Sequence, residues 1–137
     1  ADGARYEGEF LDGAKHGYGV EIYTDGAKYN GNFENNLPHG FGKYETEEGM
    51  SYEGNYVKGT WTGKGNLTLP NGLKYSGQFK YGQSHGKGSA VFPDGATYSG
   101  EYKRNKIDGK GIYKDRFGNV WSGNFKNNLL YRCFRKL

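Results

Sequence analysis

Tyr6-Glu7-Gly8-Glu9-Phe10 is followed 23 residues later by Tyr29-Asn30-Gly31-Asn32-Phe33, and the frame Tyr-x-Gly-x-(Phe/Tyr) returns at Tyr52, Tyr75, Tyr98 and, with tryptophan leading, Trp121. Six in-phase copies without an insertion make the chain a repeat array. Each unit of such an array is one supersecondary element stacked on its neighbours. Function is therefore expected on an extended surface and not in a closed catalytic pocket.

Within a unit, Tyr6, Gly8 and Phe10 alternate with Glu7 and Glu9, the period-two pattern of a strand with one packed and one wet face. A turn is expected next, where Gly13, Gly59 and Gly82 or Asn36, Asn105 and Asn128 stand at equivalent places, residue types that readily take a positive φ. The second strand is expected to open with Gly-x-Gly, as in Gly17-Tyr18-Gly19 and Gly63-Lys64-Gly65, both glycines leaving room for rings to lie over bare backbone. Asp25-Gly26, Asn71-Gly72 and Asp94-Gly95, with the variants Glu48-Gly49 and Phe117-Gly118, close the units with tight turns. Each unit reads as a hairpin, and two strands at ~4.8 Å spacing advance the sheet by about 10 Å per unit.

Composition agrees. Hydrophobic residues make up 34% of 137 residues and glycine supplies 25 positions, so aliphatic side chains are too few for a closed core and aromatic rings must supply the packing. No apolar run is long enough for a membrane-spanning helix and no leader resembles a signal peptide, so the chain reads as soluble. The one cysteine, Cys133, allows no internal disulfide and fits a reducing, cytoplasmic compartment.

The net charge of +4 conceals a division: residues 1–68 hold 6 Lys/Arg against 11 Asp/Glu, and residues 69–137 hold 13 against 4. The basic half points to an anionic partner, such as a lipid headgroup or acidic protein. Lys103, Arg104, Lys106, Lys110, Lys114, Arg116 and Lys126 are its candidate anion or phospholipid contacts.

The units beginning Tyr6-Glu-Gly-Glu-Phe-Leu-Asp-Gly-Ala-Lys-His-Gly-Tyr-Gly and Tyr75-Ser-Gly-Gln-Phe-Lys-Tyr-Gly-Gln-Ser-His-Gly-Lys-Gly resemble the MORN (membrane occupation and recognition nexus) repeat family. The resemblance implies an all-β, elongated, single-layer, twisted antiparallel sheet of tandem 23-residue hairpins, and roles in scaffolding with membrane association. Its ending resembles that of cytoskeletal members of the family in parasitic protists, which are associated with dimeric scaffolds. Residues 1–137 read as one array, with units starting at 6, 29, 52, 75 and 98 and a divergent terminal unit at 121; residues 1–5 resemble the tail of a preceding unit.

Apparent catalytic features dissolve on inspection. His16, His39 and His85 share one phase of the repeat and stand a full unit apart, beyond the reach of a common zinc. Gly-x-Gly is followed by no P-loop Gly-Lys-Ser/Thr, and no Ser/His/Asp set stands out. Neither an enzyme nor a bound cofactor or metal is expected.

The ring-bearing face suggests a groove for a peptide or amphipathic helix, with Tyr52, Tyr56, Tyr75, Phe79, Tyr98 and Tyr102 as anchors. The terminal unit puts Arg132 and Phe134 where others have glycine, and its apolar Leu129, Leu130, Tyr131, Cys133, Phe134 and Leu137 predict an end-to-end homodimer. Cys133 reads as a buried thiol in preference to a shared metal site or disulfide.

The leading functional expectation is a non-enzymatic scaffold at the cytoskeleton or membrane periphery, self-associating through its end and presenting the ring face to a protein. The alternative is a peripheral module binding anionic phospholipid through the basic half. Nucleic acid fits poorly, because the acidic half interrupts any continuous basic track. Exported cell-wall ligand modules, which also use short aromatic hairpins, would require an export signal.

Overall fold

The computed structural model describes the backbone of residues 3–136 and the side chains of residues 3–128. Twelve strands follow in chain order: β1 (Arg5–Leu11), β2 (Ala14–Ile22), β3 (Lys28–Glu34), β4 (Leu37–Glu45), β5 (Ser51–Val57), β6 (Thr60–Thr68), β7 (Lys74–Lys80), β8 (Gln83–Val91), β9 (Thr97–Lys103), β10 (Lys106–Lys114), β11 (Val120–Lys126) and β12 (Leu129–Lys136). They form one open antiparallel sheet in which each strand pairs only with its neighbours in sequence, from β1 at one end to β12 at the other. Among the described residues there is no helix. The fold is all-β, as the alternation predicts.

Every unit is a hairpin whose two-residue turn takes positive φ at both central positions: Asp12-Gly13, Asn35-Asn36, Lys58-Gly59, Tyr81-Gly82, Arg104-Asn105 and Asn127-Asn128. This backbone twist matches that of the flanking strands. Sequence reading located the second of these positions and missed the first, because Lys58, Tyr81 and Arg104 are not residue types that signal a left-handed conformation. The turns between units behave as expected. Gly26 N–H donates to the Tyr23 carbonyl at 3.0 Å, and Asp25 Oδ1 accepts from Ala27 N–H at 2.9 Å.

The Gly-x-Gly pairs depart from expectation in two ways. They lie in the middle of the second strand and not at its opening, since β2, β6 and their equivalents begin three residues earlier. The two glycines also do different jobs. The first, such as Gly17 with φ +69°, occupies a bulge that shifts the register of the hairpin. The second lies beneath a ring: Gly65 pairs with Gly54 across the strands, and the Tyr52 ring covers Gly65. Only this second glycine leaves space for aromatic packing.

The core is a zigzag of rings. Each leading tyrosine meets the aromatic residue four positions on in its own unit and its counterpart in the next, edge to face. Tyr29 contacts Phe33 and Tyr56 at centroid distances of 5.0 and 5.2 Å, Tyr52 contacts Tyr56 and Phe79 at 5.4 and 5.1 Å, and Tyr75 contacts Phe79 and Tyr102 at 5.1 and 4.9 Å. The series runs unbroken from Phe10 to Phe125, in the geometry that ring quadrupoles favour. The hydroxyls of the leading tyrosines are satisfied locally, whereas that of Tyr56 is buried without a hydrogen-bond partner among the described residues. Tyr29, Tyr52, Tyr75 and Tyr98 each donate to the carbonyl three residues on, at 2.8–3.0 Å.

A second stitch joins units along the short-turn edge. Gly59 N–H donates to the Pro38 carbonyl at 2.8 Å, and Asn105 N–H to that of Ser84 at 3.0 Å. Where asparagine holds the turn, its side chain completes a reciprocal pair: Asn105 Oδ1 accepts from Ser84 N–H and Asn128 Oδ1 from Ile107 N–H, each at 2.8 Å. Pro38 has no N–H to offer, and the turn residue opposite it is Gly59.

Candidate functional site

Among the described residues nothing packs above the ring face of this single layer, so the bulk of the side chains beside the ring row decides its relief. In unit 1 those positions hold Lys15 and the buried Glu21, which form an ion pair and make this end polar. In unit 3 they hold Trp61 and Leu67, and in unit 5 Ile107 and Tyr113. Unit 4 between them has the small, buried Ser84 and Ala90. The result is a groove enclosing about 1120 Å³ over units 3 to 6, floored by Ser84, Ala90, Tyr75 and Tyr102.

The two sides of the groove differ because strands run across the sheet and like turns therefore line up along like edges. The longer turns contribute Leu69, Leu73, Phe92 and Pro93, an apolar wall, together with Asp94. Asp94 is already engaged, its Oδ1 accepting from Ala96 N–H at 2.9 Å. The short turns contribute Gly82, Asn105 and Asn128. Trp61 stands toward unit 3, its ring stacked on Tyr52 at 4.3 Å and 8°, while Trp121 and Phe125 line the groove in unit 6.

The hydroxyls near this floor are held protonated. Burial pushes Tyr75 up to about 12 despite the hydrogen bond to the Gln78 carbonyl that partly offsets it. Burial, joined by the neighbouring tyrosines, raises Tyr102 as well. Tyr113 is raised by burial and then by Asp94 and Asp115. Near neutral pH the groove therefore carries neutral phenols, suited to hydrogen bonding and not to proton transfer.

The six expected groove anchors occupy a different level from the lining. Tyr52, Tyr56, Tyr75, Phe79, Tyr98 and Tyr102 are all buried in the ring row, and only Tyr75 and Tyr102 also line the groove. Sequence reading missed Trp61, Leu67, Leu73, Phe92 and Tyr113. Their repeat positions vary from unit to unit, so they carry no periodic signature; the signal available was the drop to Ser84 and Ala90 between bulky equivalents.

The seven expected anion contacts do not form one cluster. Lys103, Arg104, Lys106 and Lys126 belong to the short-turn edge, Lys114 and Arg116 to the opposite edge, and Lys110 lines a shallow valley beside Ser99 and Ser122 on the other face. The predicted dimer contacts Leu129, Leu130, Tyr131, Cys133, Phe134 and Leu137 have side chains outside the described residues; the β12 backbone pairs with β11 alone. Of the histidines, His39 Nδ1 accepts from Lys58 N–H at 3.2 Å, tying unit 2 to the turn of unit 3. Among the described residues, no group of three His, Cys, Asp or Glu side chains is placed to hold a metal, and no helix is long and apolar enough to cross a membrane.

Comparison with known proteins agrees with the repeat geometry. The family model described as MORN repeat matches residues 6–28, 29–51, 52–74, 75–97 and 98–116. A comparison with curated proteins gives no match. Among solved structures, the chain is similar to the TCP domain of SAS-4 (dCPAP) of Drosophila melanogaster, in complex with a proline-rich motif of Ana2 (dSTIL), at 16% identity and a TM-score of 0.44, over 82% of this chain and 67% of that one. Five consecutive matches fall on five successive hairpins and span most of the residues, and on that basis the chain belongs to the MORN-repeat family.

Proposed function

We propose that this chain is a non-enzymatic scaffold that binds another protein in the groove over units 3 to 6. The family to which it belongs consists of repeat modules for protein and membrane interaction. The observation that carries the protein reading is the apolar hollow above Ser84 and Ala90, walled by Leu69, Leu73 and Phe92 and open to solvent. Apolar relief of this kind marks interaction sites, and the closed ring row beneath it keeps its shape. A cytoskeletal or membrane-peripheral setting suits such a module.

Selection of a random displayed peptide library on the chain, with counter-selection on Ala90→Phe, tests this. Ala90→Phe fills the floor without touching the edges. Peptides that bind the parent and not the variant are the expected result. A library yielding only peptides indifferent to Ala90→Phe would overturn the assignment of the groove.

Self-association through the C-terminal end is a second reading, supported by the place of β12 as the last strand of the sheet, with β11 its one neighbour among the described residues. Strand edges with free N–H and C=O groups template pairing with a second chain. The phospholipid alternative has less support, since the basic side chains of residues 103–126 are divided among two edges and a face.

A further inference from the structure

The residue between the two glycines of a unit belongs to the face opposite the rings. It is Tyr18 in unit 1 and Phe41 in unit 2, then Lys64, Lys87 and Lys110 in units 3 to 5, all five exposed. A second position on that face changes one unit later: Glu7, Asn30 and Glu53 give way to Ser76, Ser99 and Ser122 in units 4 to 6. Along the array, rings are thus exchanged for cations and the larger polar side chains beside them for small hydroxyls.

Strand register joins these positions into a trough. A hollow of about 530 Å³ lined by Phe41, Glu53 and Lys64 runs into one of about 650 Å³ lined by Ser99, Lys110 and Ser122, and the two share Ser76, Gly77 and Lys87. Lys64, Lys87 and Lys110 stand in file along it, one per unit and about 10 Å apart. Among the described residues none of the three is in an ion pair. The neighbouring polar groups are already engaged: Glu101 Oε1 accepts from Lys110 N–H at 2.8 Å, and Asn66 Oδ1 from the Ser76 hydroxyl at 2.6 Å. Glu53, at the unit 3 end, is the other carboxylate of the lining. Lys80, Lys103, Lys106 and Lys126 alternate with the ring-face residues Phe79, Tyr102, Ile107 and Phe125 and so add their charge to this face from the short-turn side, as Lys74 and Lys114 do from the other.

We propose that this trough is a second protein site, separate from the groove, which takes an extended acidic segment running along the array with its carboxylates on Lys64, Lys87 and Lys110. Three unpaired ammonium groups in line call for anionic oxygens in line. The file crosses the strands, and about three residues of an extended chain, at ~3.3 Å each, cover one unit. Mutual repulsion holds an acidic segment extended before it binds. Single-stranded nucleic acid suits the face less, because β7 to β11 present no Phe, Tyr or Trp there on which a base could stack. A bilayer is broader than the trough and meets the lysines at its sides as readily as those within it. With the groove on one face and the trough on the other, the chain bridges two proteins.

A labelled oligoglutamate of about eight residues is titrated against the chain by fluorescence anisotropy and is expected to bind, less tightly as salt rises. Two triple variants carry the same change of charge at exposed positions: K64E/K87E/K110E in the trough and K80E/K103E/K126E at its side. The first is expected to lose at least about tenfold in affinity and the second several-fold less. Equal losses from the two variants mean a diffuse field without a seat in the trough and overturn the proposal. Absence of oligoglutamate binding by a chain with intact far-ultraviolet dichroism overturns it as well, and leaves the groove as a protein site untouched. Sedimentation with phosphatidylserine vesicles in the absence of oligoglutamate binding assigns the face to a membrane surface and likewise overturns it.

Discussion

A Cβ on Gly65 would stand 2.5 Å from both Cε1 and the hydroxyl oxygen of Tyr52. The Tyr52 ring lies between this bare stretch of main chain and the indole of Trp61, stacked at 4.3 Å. The ring has no room to give toward the main chain, and the same contact of ring on glycine, without a stacked indole, recurs between Tyr29 and Gly42 and between Tyr75 and Gly88.

Gly65→Ala is accordingly expected to destabilise the chain by about 1–3 kcal/mol or more, through overpacking that neither the ring nor the Gly54 backbone opposite can relieve. Asn66→Ala, at an exposed neighbouring position, is expected to stay within about 0.5 kcal/mol. Urea midpoints of the two variants check the contrast, and similar midpoints would contradict the ring-on-backbone account.

Equivalent phenylalanines should differ by position in the array. Phe33 is 3% exposed between two tyrosines, and Phe10, at the open β1 end, is 62% exposed. Phe33→Ala is expected to cost about 3–5 kcal/mol, and Phe10→Ala less than about 1 kcal/mol. Equilibrium denaturation of both variants measures the difference.

Asn105→Gly keeps the left-handed turn and removes the acceptor for the buried Ser84 N–H. A loss of about 1–3 kcal/mol is expected, with faster amide hydrogen exchange at Ser84. Unchanged exchange there would show that the inter-unit amide bond contributes nothing.

Alkaline pH should melt the array through its phenols. Burial holds Tyr29, Tyr52, Tyr75 and Tyr98 at about 12 in the folded chain, against 10.0 for a free tyrosine. Above 10 the unfolded chain binds fewer protons than the folded one, so stability is fully present below that value and falls as pH rises toward 12. Denaturation followed across this window, with tyrosinate absorbance as a second probe, should show ionisation and unfolding together. Ionisation near 10 with the dichroism unchanged would mean that the rings are more open than the packing indicates.

Light scattering of the chain and of a form ending at Asn128 addresses the end-to-end dimer. Removal of β12 is expected to halve the mass while the preceding hairpins persist, in keeping with nearest-neighbour stability in repeat arrays. Equal masses would remove the dimer from consideration.

The ring row is legible in the sequence because its residues repeat: Tyr29, Phe33 and Gly42 recur in type and spacing, and a period of two leaves one choice of face. The different roles of Gly63 and Gly65 are not legible, since both are glycine and only the bulge separates a left-handed position from one beneath a ring. The groove escapes for a different reason. Trp61, Ser84, Ile107 and their partners are variable positions of the repeat, and their common function appears only when register sets them side by side. The division of Lys103, Lys110 and Lys114 between edges and face likewise depends on where the strands reverse, which net charge does not record.

The strictly sequential order of β1 to β12 has a mechanical consequence. Every interstrand ladder lies crosswise between the two termini, so a force applied at the ends loads the ladders in series, like the teeth of a zipper. Such a ribbon yields by peeling one hairpin at a time at low tension and zips up again from the hairpins still seated. Under such a load the ribbon is expected to extend in steps set by the 23-residue module.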